Sequence, residues 1–211
     1  MNQQHDLTPA MENVRRAYRV VAAYQRRTFS TIKLIEAKFP EVGFYYWTPR
    51  LYKQPPQRAS SPVDRWGWDG LPFYDFSILY TERELDDGYR PLRGRWMLDV
   101  HVQSDSGYDD ETSGEPNGET FDAAEDSETN LSLTAWRCDG DQFSNRNWYS
   151  VWKDVDWPEE SDVATDVGGG FTSLRSVRDV ADLPDRAAVE TFVDGFRELC
   201  RSELRLDLAD D

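Results

Sequence analysis

Arg95–Gln103 reads RWMLDVHVQ and Phe73–Tyr80 reads FYDFSILY. In both, apolar residues fall on every second position. Trp96, Leu98, Val100 and Val102 share one face of the first stretch, and Tyr74, Phe76, Ile78 and Tyr80 share one face of the second. A period of two is the signature of a strand with one face on a core. The connector carries turn chemistry at Asp87-Gly88, so the two stretches are expected to form an antiparallel pair.

Working outward, Asn130–Cys138 (NLSLTAWRC) repeats the pattern with Leu131, Leu133 and Ala135 inward. The aromatic run VGFYYWTPRLY over Val42–Tyr52 is a further strand, and Trp148–Trp152 is read as another. Four to five strands in succession with no crossover helix between them predict an antiparallel meander and not a βαβ sheet. Thr8 and Pro9 start a helix expected to run to about Phe39, with Met11, Val14, Tyr18, Val21, Ile32 and Ile35 at helical spacing and a bend near Thr28 to Thr31. After Asp182–Asp185 a last helix carries Val189, Phe192, Val193, Phe196, Leu199, Cys200 and Leu204 as an apolar stripe. The expected fold is a single α+β domain over residues 1–211, an antiparallel sheet covered by a long N-terminal and a C-terminal helix. Its length fits one core.

The 211 residues include 38% hydrophobic and 13% aromatic side chains, enough buriable surface to fold. No stretch nears the roughly 20 apolar residues of a membrane span, and the first residues lack the apolar run of a secretory signal. Cys138 and Cys200 lie far apart with no CxxC spacing, so neither a disulfide framework nor a zinc site is expected. A cytoplasmic location and no cofactor follow as expectations.

Forty acids against twenty-four bases give a net charge of −16, which disfavours direct contact with nucleic acid or anionic lipid. The charge is polarised along the chain. Residues 1–60 hold ten bases and four acids, whereas residues 104–166 hold three bases and eighteen acids. Ser104–Glu128 has ten acids, no base, and Gly, Pro and Ser between them, and is expected to be a long mobile acidic loop. Asp109, Asp110 and Glu111 in it, with Asp139 and Asp141 nearby, form an anionic surface suited to a basic protein partner. Two other origins of the acidity remain open: adaptation to a salty cytoplasm, and pairing with Arg15, Arg16, Arg19, Arg26 and Arg27 of the first helix.

Alternation places Asp99, His101 and Gln103 opposite the apolar face of their strand, with Asp75 and Ser77 of the neighbouring strand on the same polar side. Carboxylates beside an imidazole suit a divalent cation or a general base, so Asp75, Asp99 and His101 are the candidate catalytic residues of a metal-dependent hydrolase. The same pattern is what a half-solvated sheet shows. QSDSGYDDE lacks the ligand order of a calcium loop, Gly168–Gly170 lacks the surroundings of a phosphate cradle, and no nucleophile-elbow, zincin or kinase signature is present. Trp66 and Trp68, within Arg65–Asp75, are read either as an aromatic binding platform or as a plug on the core. The functional expectation is a non-catalytic interaction protein, such as an inhibitor, immunity protein or accessory subunit of a prokaryotic or viral system, with the hydrolase as the alternative.

Overall fold

The computed structural model describes residues 7–50, 73–83, 89–107, 121–140 and 146–209. Helix α1 spans Thr8–Ala37 and is followed by β1 (Val42–Pro49), β2 (Asp75–Glu82), β3 (Trp96–Gln103) and β4 (Asn130–Cys138). A short helix α2 (Trp148–Asp154), β5 (Thr165–Asp166), β6 (Phe171–Asp179) and α3 (Arg186–Ser202) complete the order. The strands form one antiparallel sheet in the order β1-β2-β3-β4-β6-β5.

The α+β arrangement is the one expected, with six strands where four to five were read. Two elements differ. Trp148–Trp152 is helical, because Asn147 and Ser150 form a reciprocal capping box and Trp148, Val151 and Trp152 then fall on one buried helical face. Strand β6 has no apolar period in the sequence because its inward positions include Ser173 and Ser176, whose hydroxyls donate to the Ala135 carbonyl and to Asp162. The Gly168–Gly170 turn joins β5 to β6, and all three residues have φ between 60° and 81°, a region that disfavours any side chain.

Both faces of the sheet are covered. On one, Phe76, Leu98, Val100, Leu133 and Leu174 meet Ile32, Ile35 and Phe39 from α1 and its end, and Val189, Val193 and Phe196 from α3. On the other, Leu79, Met97, Trp136 and Phe171 meet Trp148, Val151 and Trp152 of α2. The bulge between Phe44 and Tyr46 in β1 breaks the register, and Tyr45 packs against this second cluster.

α1 is continuous through Thr28–Thr31. Thr28 and Ser30 donate their hydroxyls to the carbonyls four residues back, which keeps them inside the helix. Thr8 lies inside the helix and Leu7 occupies the cap position. The helix ends at Ala37, and Phe39 turns into the core against Trp96 and Phe196. Arg197, 2% exposed, clamps that corner: it donates to the Lys38 and Ala209 carbonyls, sits 3.5 Å from Glu41 and lies over the Phe39 ring.

The described ends of the acidic segment are tied together. Ser106 N donates to the Glu128 carbonyl and Asp122 N to that of Gly107, while residues 108–120 lie outside the described residues. Phe39→Ala removes the ring shared by Trp96, Phe196 and Arg197, and is expected to cost about 3–5 kcal/mol in a denaturant titration. A loss below about 1 kcal/mol would show that this corner does not hold α1 to the sheet.

Candidate functional site

The antiparallel register brings the polar residues of the central strands together. Leu79, Asp99, Thr134 and Arg175 lie in one row across β2, β3, β4 and β6, and Ser77, His101 and Ser132 lie in the next. Asp75 stands at the start of β2, where the Arg50 backbone N–H donates to its carbonyl. The expected meeting of Asp75, Ser77, Asp99 and His101 on one face is therefore present. The half-solvated setting is not, since Asp99 is 0% and His101 4% exposed.

His101 has both ring nitrogens engaged. Nε2 lies 2.8 Å from Asp75 Oδ1, and Nδ1 lies 3.3 Å from Ser132 Oγ and 3.5 Å from Arg50 Nη1. An acceptor on one side and donors on the other favour the tautomer in which Nε2–H donates to Asp75. The Arg50 guanidinium lies 4.2 Å from the centre of the Trp157 ring, a cation–π contact at the edge of the network.

Asp99 is held separately. Its Oδ2 accepts from Ser77 Oγ at 2.9 Å and from Trp152 Nε1 at 3.1 Å, so α2 seals it from above. Oδ1 is buried without a partner among the described residues, as are Thr134 Oγ1 in the same row and Arg175 Nε. Burial pushes the Asp99 carboxyl up to about 6, against the opposing pull of His101, Trp152, Ser77 and Arg50. Burial also lowers Arg175, helped by the like charge of Arg50 and opposed by Asp99.

These distances define what the cluster does chemically. A general base needs a nitrogen facing substrate, and a hydroxyl nucleophile needs an open side. His101 spends both nitrogens on protein groups, and Ser132 is 1% exposed. Asp75 faces the imidazole while Asp99 faces Ser77 and Trp152, so the hydrolase candidates do not converge as one ligand set. Among the described residues no group of three or more His, Cys, Asp or Glu side chains is placed to hold a metal.

Asp139, expected on the anionic surface, accepts from Arg137 at 2.7 Å and from Thr172 at 2.6 Å. Asp109, Asp110, Glu111, Asp141, Trp66 and Trp68 lie outside the described residues. Cys200 is buried on α3 and its thiol is pushed far up by that burial.

The open surface lies elsewhere. Tyr24 Oη is 3.0 Å from Ser104 Oγ, and Arg27 Nη2 donates to the Leu183 carbonyl at 2.7 Å. These contacts anchor α1 where it leaves the body; every residue from Thr8 to Ala23 is exposed, over about 24 Å of helix. Leu7, Met11, Val14, Tyr18 and Val21 stand uncovered there. The helical period of these residues was legible, but their exposure was not.

A family model described as PM0109 matches residues 4–205. The chain belongs to the PM0109 family. The uncharacterized protein PM0109 of Pasteurella multocida (strain Pm70) is 24% identical over 204 residues, which cover 92% of this chain and 94% of that one. No solved structure matches. The PM0109 match takes in all of α1, so the projecting half of the helix belongs to the family's common length and is not an appendage. Among the described residues no helix is long and apolar enough to cross a membrane.

Asp99 makes a pH prediction. The unfolded side chain releases its proton near about 3.9, while the folded chain keeps it up to about 6. The stability that goes with the protonated form is therefore present at low pH and lost as pH rises through the folded value. Asp99→Asn keeps an acceptor for Ser77 and Trp152 and removes the titration. The Tm of the variant relative to the parent should climb from about pH 4 to about pH 7 and then level off. Parallel Tm curves across that range would show that Asp99 does not titrate in this way.

Proposed function

We propose that this protein works by binding another macromolecule, docked along the projecting half of α1, and carries out no chemistry at the Asp75–His101 cluster. The observation that carries the reading is the run of exposed apolar residues on Leu7–Val21, in a helix bonded to the body at Tyr24 and Arg27. An exposed apolar stripe of this length is an expensive surface for a free chain and a useful one for a bound chain.

Charge supports the same reading. The helix surface carries Arg15, Arg16, Arg19, Arg26 and Arg27 against Glu12, in a molecule whose net charge is −16. A partner for this surface has an apolar strip edged by acids. The acidic segment 104–128 calls for the opposite, a basic protein surface. The roles this covers are those of an inhibitor, an immunity protein or an accessory subunit of a prokaryotic or viral system.

A benzophenone amino acid at Tyr18, photoactivated in the native cells, is expected to give an adduct of defined mass. Val14→Glu should remove that adduct while leaving thermal melting unchanged, because Val14 contributes nothing to the core. Affinity should also fall as salt rises over a few tenths molar and the Debye length drops below about 8 Å. If no adduct forms at Tyr18, or if it survives Val14→Glu, α1 is not the docking surface.

A further inference from the structure

The face of the sheet that α2 covers holds two arginines that no carboxylate meets. Arg175 on β6 stands in the row of Asp99 and Thr134. Arg50 follows β1, with its guanidinium 3.5 Å from His101 in the neighbouring row and 4.2 Å from the centre of the Trp157 ring. Among the described residues neither arginine forms an ion pair, in a chain of forty acids against twenty-four bases. Other arginines of the body are served: Arg95 by Glu82, Arg137 by Asp139, and Arg197 by Glu41 and two carbonyls. Burial, and then the like charge of Arg50, lowers Arg175, and Asp99 opposes this only in part. A guanidinium desolvated beside a second one is unfavourable unless a negative group joins them.

The polar groups around Arg175 lean the same way. Arg175 Nε, Thr134 Oγ1 and, two residues along β4, Trp136 Nε1 are buried without a hydrogen-bond partner among the described residues. Guanidinium and indole N–H groups only donate, and a hydroxyl is able to. Against these three the row of Asp99 holds one unpartnered acceptor, Asp99 Oδ1. Register sends all four residues to one face, and it sets Asp99 two strands from Arg175, about 10 Å away, with Thr134 between them. A surplus of donors beside two positive charges is the inverse of a cation site and suits an oxyanion.

Depth sets the size of the ligand. Thr134 and Trp136 are fully buried and Arg175 is half-buried, so a flat protein surface or a nucleic-acid backbone does not reach these donors. A single oxyanion group on a small molecule does. Arg50, exposed, and Trp157, half-buried, stand on the outer side.

We propose that Arg50 and Arg175 together bind the oxyanion group of a small molecule, a phosphate or a carboxylate, with Thr134 donating to it from the floor of the site and Trp157 forming its wall. Each guanidinium presents a planar fork of N–H donors that fits two oxygens at once. The anion supplies the negative charge that neither arginine has from the described chain. The site lies beside His101 and asks nothing of its ring nitrogens, which stay on Asp75 and Ser132. It is separate from the exposed stripe of α1, so it stands or falls independently of the docking role.

Calorimetric titration of the full chain with inorganic phosphate at constant ionic strength is expected to show saturable binding and a rise in melting temperature, with chloride giving neither. Acetate is the second probe. Tighter binding of acetate than of phosphate assigns the site to a carboxylate, and the reverse assigns it to a phosphate group. Arg50→Gln and Arg175→Gln should each weaken binding about tenfold or more, the loss that follows removal of a charge-assisted bond. Arg50 is exposed, so its variant is expected to melt close to the parent and keeps the test independent of folding. Arg16→Gln removes the same charge from the exposed surface of α1 and should leave binding unchanged. Saturation by neither anion overturns the site and leaves its unpartnered donors to water. Affinity unchanged in Arg50→Gln, or reduced as much in Arg16→Gln as in Arg50→Gln, overturns it as well.

Discussion

The sheet has to be buried on both sides, and the rest of the molecule follows from that. Period-two alternation along β3 and β4 sends Leu98, Val100, Leu131 and Leu133 to one face, where α1 and α3 cover them. The same alternation necessarily sends Asp99, His101, Ser132 and Thr134 to the other. A sheet with one wet face could leave those side chains in water. Here α2 and the Trp136–Trp157 pair close over them, so their partners have to come from inside. Asp75 serves His101, and Ser77 and Trp152 serve Asp99.

This constraint explains the contacts that His101 and Asp99 make with neighbouring protein groups. Both ring nitrogens of His101 and one carboxylate oxygen of Asp99 are used to offset burial. Asp99, like Thr134 and Arg175 in its row, is left imperfectly satisfied among the described residues, and the raised titration of its carboxyl is the expected consequence of that burial. The strain is local, and the Arg197 clamp on the opposite side shows the contrasting solution, a buried charge provided with carbonyls, a carboxylate and a ring.

The two halves of α1 show the same sequence pattern with opposite fates. Ile32, Ile35 and Phe39 lie on the seam and are buried, while Leu7, Met11 and Val14 lie on the same seam and are exposed. Nothing in their chemistry separates them. What separates them is the extent of the sheet, which ends near the level of Tyr24 and Ser104. Helix α1 is longer than the layer it covers, and in a strongly acidic chain it carries a cluster of arginines, Arg15, Arg16, Arg19, Arg26 and Arg27.

The amino-acid sequence by itself determined the antiparallel pairing of β2 with β3, the inward and outward faces of β2, β3 and β4, and the apolar stripes of α1 and α3, because these depend on periods of two and 3.6 residues that any local reading can count. It also placed Asp75, Asp99 and His101 on one side of the sheet. Tertiary structure alone decided that this side is dry, because the cover comes from Trp152 and Trp157, which lie more than fifty residues from Asp99, and Trp152 stands on a helix where a strand was expected. It alone brought in Arg50, Ser132 and Arg175, whose proximity to Asp99 or His101 is a matter of register and not of local pattern. Whether an apolar residue is core or contact surface depends on what stands opposite it, and that is set by how far the neighbouring layer extends.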